Sequence, residues 1–139
     1  MIDLKTAPYA AFGLRVASGL LFLAHGLLKV FVFTIPGTVG FFESVGFPGF
    51  LAYLTIAAEI GGGLVLIAGI GTRWVALALL PVLLGATYVH SANGWLFTNE
   101  GGGWEFPAFW AVALGASALL GSGAFALKLP FEPKASATA

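Results

Sequence analysis

Five ionisable side chains stand where so apolar a chain has little reason to keep them: Arg15, His25, Lys29, Glu59 and His90. Glu59 is the sharpest case, because it lies inside an apolar run, Phe50 to Ile70, long enough to span a bilayer. An ionisable group at that depth costs roughly 3 kcal/mol on insertion scales, so it needs an internal partner, a water cavity or a proton. A carboxylate and an imidazole can hold and exchange protons, and an ammonium can steady developing negative charge. Glu59, His25 and Lys29 are therefore the candidates for chemistry. His90, Glu105 and Arg15 are candidates for holding a bound group. Each also admits a structural role: Lys29 or Arg15 snorkelling to an interface, His90 ending a helix, or Glu59 paired with His25 or Lys29 to hold helices together.

Composition narrows the setting. Of 139 residues, 59% are hydrophobic and only 9% are charged, against roughly 25% charged in a soluble domain. The formal net charge is zero and no basic run occurs, which argues against nucleic acid as a partner. With no cysteine, the chain alone offers no disulfide, thiolate metal site, cysteine-ligated iron–sulfur cluster or thiol redox chemistry. Two histidines with Glu59 or Glu105 match the residue types of a metal site, but no ligand spacing singles one out and no metal is expected. His25 and His90 as a bis-imidazole haem pair is an outlying alternative, so no haem is expected either.

Four apolar segments must position these groups, at about 8–33, 50–70, 74–90 and 106–127, each close to the ~20 helical residues that cross ~30 Å of hydrocarbon. The first is too long for the apolar region of a signal peptide and reads as a retained helix, with Pro8 in its first turn. Pro81 should kink the third by freeing the Leu77 carbonyl. The tight turn around Thr72-Arg73-Trp74 makes its two helices antiparallel. The fold expected is an all-α membrane protein, a single antiparallel four-transmembrane-helix bundle over 1–127, with a polar cytoplasmic tail over 128–139. Lys5, Arg73, Lys128 and Lys134 lie on one side, and the loops 34–49 and 91–105 carry Glu43, Glu100 and Glu105 with no Lys or Arg. The positive-inside rule then places both termini in the cytoplasm.

The longer loops carry patterns of their own. Phe41, Phe42 and Val45 share one side of a helical turn bracketed by Pro36, Gly37, Gly46, Pro48 and Gly49, which suggests a short helix lying on or dipping into the interface. Trp95 and Trp104 are placed as interfacial anchors, and Glu105 complements the positive end of the last helix.

Depth follows from the rise per residue. Arg15 is about 10 Å, His25 about 25 Å and Lys29 about 30 Å from the cytoplasmic end, while Glu59 lies roughly 13–15 Å below the outer surface. His25 and Lys29, four apart, share a helix face. Gly61, Gly62 and Gly63 mark close backbone approach or a break after Glu59, and Ala111, Gly115, Ser117 and Gly121 give the last helix small faces. A tight bundle with a small polar pocket opening outward is the simplest solution.

The string Leu14-Arg15, Gly19 to Phe22, His25-Gly26 and Lys29 resembles the first helix of DoxX-family membrane proteins. Glu59 through Leu64 and Gly69 through Arg73 resemble the family's second helix and basic turn. His90, Asn93-Gly94-Trp95 and Gly102 through Pro107 resemble its outer loop and the start of the fourth helix. The resemblance covers about 14–127. It departs at Gly121 to Leu127, which lacks the basic and aspartate residues often seen there. It implies residence in the bacterial inner membrane as a multi-pass protein and a place in membrane redox or oxidative-stress defence, since relatives include a subunit of a thiosulfate:quinone oxidoreductase. The function expected is a quinone-interacting or partner-anchoring subunit, with Glu59, His25 and Lys29 forming the pocket and a redox protein or a second copy as partner. A scaffold whose buried charges fix helix register, or a proton or small-solute conduit built as an oligomer, are the alternatives.

Overall fold

The computed structural model describes residues 3–127, and the tail expected over 128–139 lies outside them. Among the described residues five α-helices form: α1 (Ala7–Phe31), α2 (Ile35–Ser44), α3 (Phe50–Ala68), α4 (Thr72–His90) and α5 (Glu105–Leu120). A 3-10 turn over Ser91–Asn93 follows α4, and no strand occurs among the described residues. α1, α3 and α4 are long and apolar enough to cross a membrane, and α5 is a shorter apolar helix. α1 packs on α3, α3 on α4, α4 on α5 and α5 back on α1, so the four close into a ring. The fold is a helical membrane bundle. α2 lies outside the ring against α3 and α1.

Local chemistry sets the ends of these helices. Pro8 occupies the first turn of α1, where its missing N–H has no helical acceptor to lose. α1 ends at Phe31, two residues short of the expected 33, and the chain turns through Thr34 at φ 64. The Thr34 hydroxyl then caps α2 by accepting from the Gly37 N–H at 3.3 Å. That gives a ten-residue helix where the sequence suggested a short one. At the far end of α3, Gly69 adopts the left-handed conformation that closes a helix, at φ 81. Only residues 69–71 separate α3 from α4, which forces the pair antiparallel.

Packing inside the ring is close. Phe22, Leu66, Leu79, Leu83, Trp110 and Leu114 form its core. In lipid such burial gains little from transfer out of water, so close fit and hydrogen bonds carry the stability. α1 and α3 show this best. A methyl group placed on Gly19 would lie 2.8 Å from the Gly63 carbonyl oxygen, and one on Gly63 would lie 2.8 Å from the Gly19 oxygen. Within the Gly61–Gly63 run, Gly63 is the crossing point with α1 and Gly62 lies against Leu79, while Gly61 faces open space, and the helix continues through unbroken. Gly115 on α5, expected as a packing face, has open space where a side chain would be.

The last helix is shorter than expected, ending at Leu120 and not 127. Gly121 and Gly123, at φ 80 and 68, take the backbone out of the helical region. The segment 121–127 folds back across the end of the bundle instead. There the Ala124 N–H donates to the Pro8 carbonyl at 2.8 Å, and the Leu127 N–H to the Ala68 carbonyl at 3.0 Å. The Phe125 ring meets Phe12 at 5.2 Å and Tyr9 at 6.1 Å.

Candidate functional site

Lys29 is in the last turn of α1 and Glu59 is at the midpoint of α3, and the two side chains meet. Lys29 Nζ donates to Glu59 Oε1 at 2.9 Å and to Oε2 at 2.8 Å. Gly26 makes the approach feasible, since a side chain there would press on Ile60 and on the Glu59 Cβ. The carboxylate is sealed, at 6% exposure, while the lysine keeps 19%. The ammonium has three protons and the carboxylate takes two, so one donor remains for another group.

This pair forms one wall of a cavity of about 440 Å³, a size typical of small-molecule sites. The rest of the wall is apolar: Phe41 and Phe42 from α2, Val45 and Phe47 beyond it, Leu51 and Leu54 from α3, and Val82 and Val89 from α4. Thr55, one turn before Glu59, adds a hydroxyl, and His90 adds an imidazole from the end of α4. Pro81 and Gly85 also line it, and nothing lies within 4 Å of where a Gly85 side chain would start. Gly85 therefore keeps this space open.

His90 is held from behind. Its Nδ1 lies 3.0 Å from the Gly101 carbonyl and 3.1 Å from the Gly102 carbonyl, and the Asn93 side-chain N–H donates to the same two oxygens. Two carbonyl neighbours assign the proton to Nδ1, which leaves Nε2 as a lone-pair acceptor in the neutral ring.

The other three candidates lie elsewhere. His25 shares a helix face with Lys29 but not its cavity, because its Nδ1 turns back to the Leu21 carbonyl at 2.8 Å and its ring rests 5.3 Å from Trp110 of α5. Glu105 lines a separate groove beside α5, where Oε1 accepts from the Phe97 N–H at 3.1 Å.

Arg15 is fully buried near the opposite end of α1, and its donors are taken by backbone. Nη1 donates to the Leu66 and Ile67 carbonyls at 2.8 and 2.6 Å, Nε to Ser122 at 2.9 Å and Nη2 to Ala124 at 3.0 Å. The cavity thus brings Lys29, Glu59 and His90 together and leaves out Arg15, His25 and Glu105. Thr55 and Gly85 were missed by sequence reasoning. Each stands four residues from a marked position, Glu59 and Pro81 respectively, and that helical spacing was the available signal.

Among the described residues no group of three or more His, Asp or Glu side chains gathers as a metal site would require. The family-wide sequence profile described as DoxX matches residues 10–92. A Bacillus subtilis (strain 168) protein named as a candidate oxidoreductase, CatD, is 41% identical over 73 residues, 52% of this chain and 53% of its own length. The Escherichia coli (strain K12) inner membrane protein YqjF is 33% identical over 79 residues, 57% of this chain and 59% of its own. The chain thus spans somewhat over half the length of the curated relatives it matches. No solved structure matches.

Proposed function

We propose, on the premise that this chain belongs to the DoxX family, that it serves a redox process of the bacterial inner membrane by binding a lipophilic quinone in the cavity beside Lys29 and Glu59. One observation carries this reading: an apolar, aromatic-walled space of about 440 Å³ within a membrane bundle is lined by a part-buried ammonium–carboxylate pair and by an imidazole. The residues fit a ring bearing two oxygens. Phe41, Phe42 and Phe47 offer faces and edges to a flat ring. Lys29 has a spare N–H for a carbonyl oxygen, while Glu59 and His90 Nε2 accept from a hydroxyl. The names of the two relatives, one as an oxidoreductase and one as an inner membrane protein, support the setting.

A bound quinone would supply two-electron, two-proton chemistry. This chain's part is to hold and orient the ring, keep water from it, and offer proton positions at Glu59 and His90. Without cysteine, electrons would reach the site from a redox partner or from an organic cofactor.

The test is native mass spectrometry of the chain released from its own membranes in mild detergent. The expected result is a co-purifying quinone mass that disappears in Gly85→Leu, which fills the cavity while leaving Lys29, Glu59 and His90 in place. Recovery of lipids alone with a stoichiometric protein partner overturns the quinone reading and favours an anchoring subunit.

A further inference from the structure

A second concave site lies at the same end of the bundle and shares no lining residue with the first. It is a groove of about 540 Å³ beside the start of α5, formed by Trp95 and Phe97 from the loop and by Glu105, Phe106, Phe109 and Val112 from the helix. We propose that it binds an aminophospholipid, with the primary ammonium of the headgroup at Glu105 and Trp95 and one acyl chain laid along Phe106, Phe109 and Val112.

Charge is the first argument. The Phe97 N–H holds Glu105 Oε1 at 3.1 Å, which fixes the carboxylate, and Oε2 carries no hydrogen bond or ion pair among the described residues. Lys and Arg are absent from 34–49 and 91–105, so neither loop at this end supplies a cation. The positive end of α5 offsets only about half an elementary charge, so the groove keeps net negative character. A ligand seated there should bring the missing positive charge.

Shape is the second argument. Trp95 is exposed, its ring is set perpendicular to Trp104 at 4.6 Å, and it lines the same groove as Glu105, so the groove offers a cation an aromatic surface as well as a carboxylate. Phe106, Phe109 and Val112 recur every three residues along α5 and are 42%, 72% and 72% exposed. They form an apolar track leading away from the carboxylate into the depth of the bilayer. A cationic head at the interface with an acyl chain below it matches both halves. Because the carboxylate is an acceptor, a head bearing N–H groups bonds to it and a fully methylated ammonium does not. A purely anionic head is repelled.

The experiment is titration of the full chain with phosphatidylethanolamine, phosphatidylcholine and phosphatidylglycerol of identical acyl chains, read by native mass spectrometry. One phosphatidylethanolamine should be retained at least tenfold more tightly than phosphatidylglycerol and several-fold more tightly than phosphatidylcholine. Glu105→Gln preserves an acceptor for the Phe97 N–H, so the fold stays, and it should lower the preference to the phosphatidylglycerol level. Trp95→Leu, remote from that hydrogen bond, should weaken phosphatidylethanolamine several-fold. Equal retention of the three lipids overturns the proposal, as does a preference unchanged in both variants. A lipid-independent dimer abolished by Trp95→Leu also overturns it, by assigning the groove to a second copy.

Discussion

Arg15 and Lys29 are both basic residues inside α1, yet they are embedded in opposite ways. Arg15 meets four carbonyl oxygens, two from the last turn of α3 and two from the returning segment 121–127, and borders no cavity described for the bundle. Leu66 and Ile67 are among the last carbonyls of α3, where i+4 donors run out, although the Leu66 oxygen also takes the Gly69 N–H at 3.0 Å, and the planar guanidinium serves several acceptors at once. Lys29 meets a single carboxylate and stands on the wall of an open space. A buried charge is thus a poor marker of chemistry by itself. A buried charge beside room for a ligand is a better one.

Five variants sharpen or break that contrast, beginning with the largest expected loss of stability. Arg15→Met should be the most damaging, because four carbonyls from two stretches of chain lose this donor at once. At ~1–3 kcal/mol for each buried group left unsatisfied, the loss should reach about 3–5 kcal/mol, seen as a large drop in melting temperature in detergent. If the folded fraction of this variant also loses ligand, the separation of the two ends fails.

Glu59→Gln leaves Lys29 charged and half-partnered, and should cost about 2–3 kcal/mol together with at least tenfold in ligand affinity. The double change Lys29→Met with Glu59→Leu should recover most of that stability but none of the binding, a divergence that a double-mutant cycle measures directly. Recovery of binding in the double variant would demote the pair to packing.

Gly85→Leu should cost no stability, and a gain of about 0.5–1 kcal/mol is expected from helix propensity, while binding is lost. It is the cleanest test, since no charge changes. Arg73 serves as a control for Arg15. Its Nε donates to the Ala118 carbonyl of α5 at 3.1 Å, but the side chain is exposed. Arg73→Gln should therefore cost only about 0.5 kcal/mol by chemical unfolding.

The contrast also explains what the sequence could tell. Spans were readable because apolar runs of about 20 residues leave few other solutions, and Glu59 stood out by its depth. A Glu59–Lys29 pair was among the readings that the residues allowed. His25 could not be placed, because i, i+4 spacing fixes a shared face but not the direction in which a ring turns. Arg15 was misleading because its acceptors are backbone carbonyls, which leave no trace in residue types. The end of α5 was hidden for a related reason: Gly121-Ser122-Gly123 sits in an apolar run that window hydropathy passes over, and the two glycines decide the conformation.

The early end of α5 matters to the surrounding lipid. Its 16 residues reach about 24 Å, roughly 6 Å less than the hydrocarbon thickness of an average bilayer. The other three members of the ring are longer, so the bundle has one short side. Acyl chains beside α5 must compress to match it, at a cost of fractions of a kcal/mol per Å of mismatch. A preference for thin membrane, with the leaflets thinned on the α5 side, is the expected consequence, a physical address written in helix length.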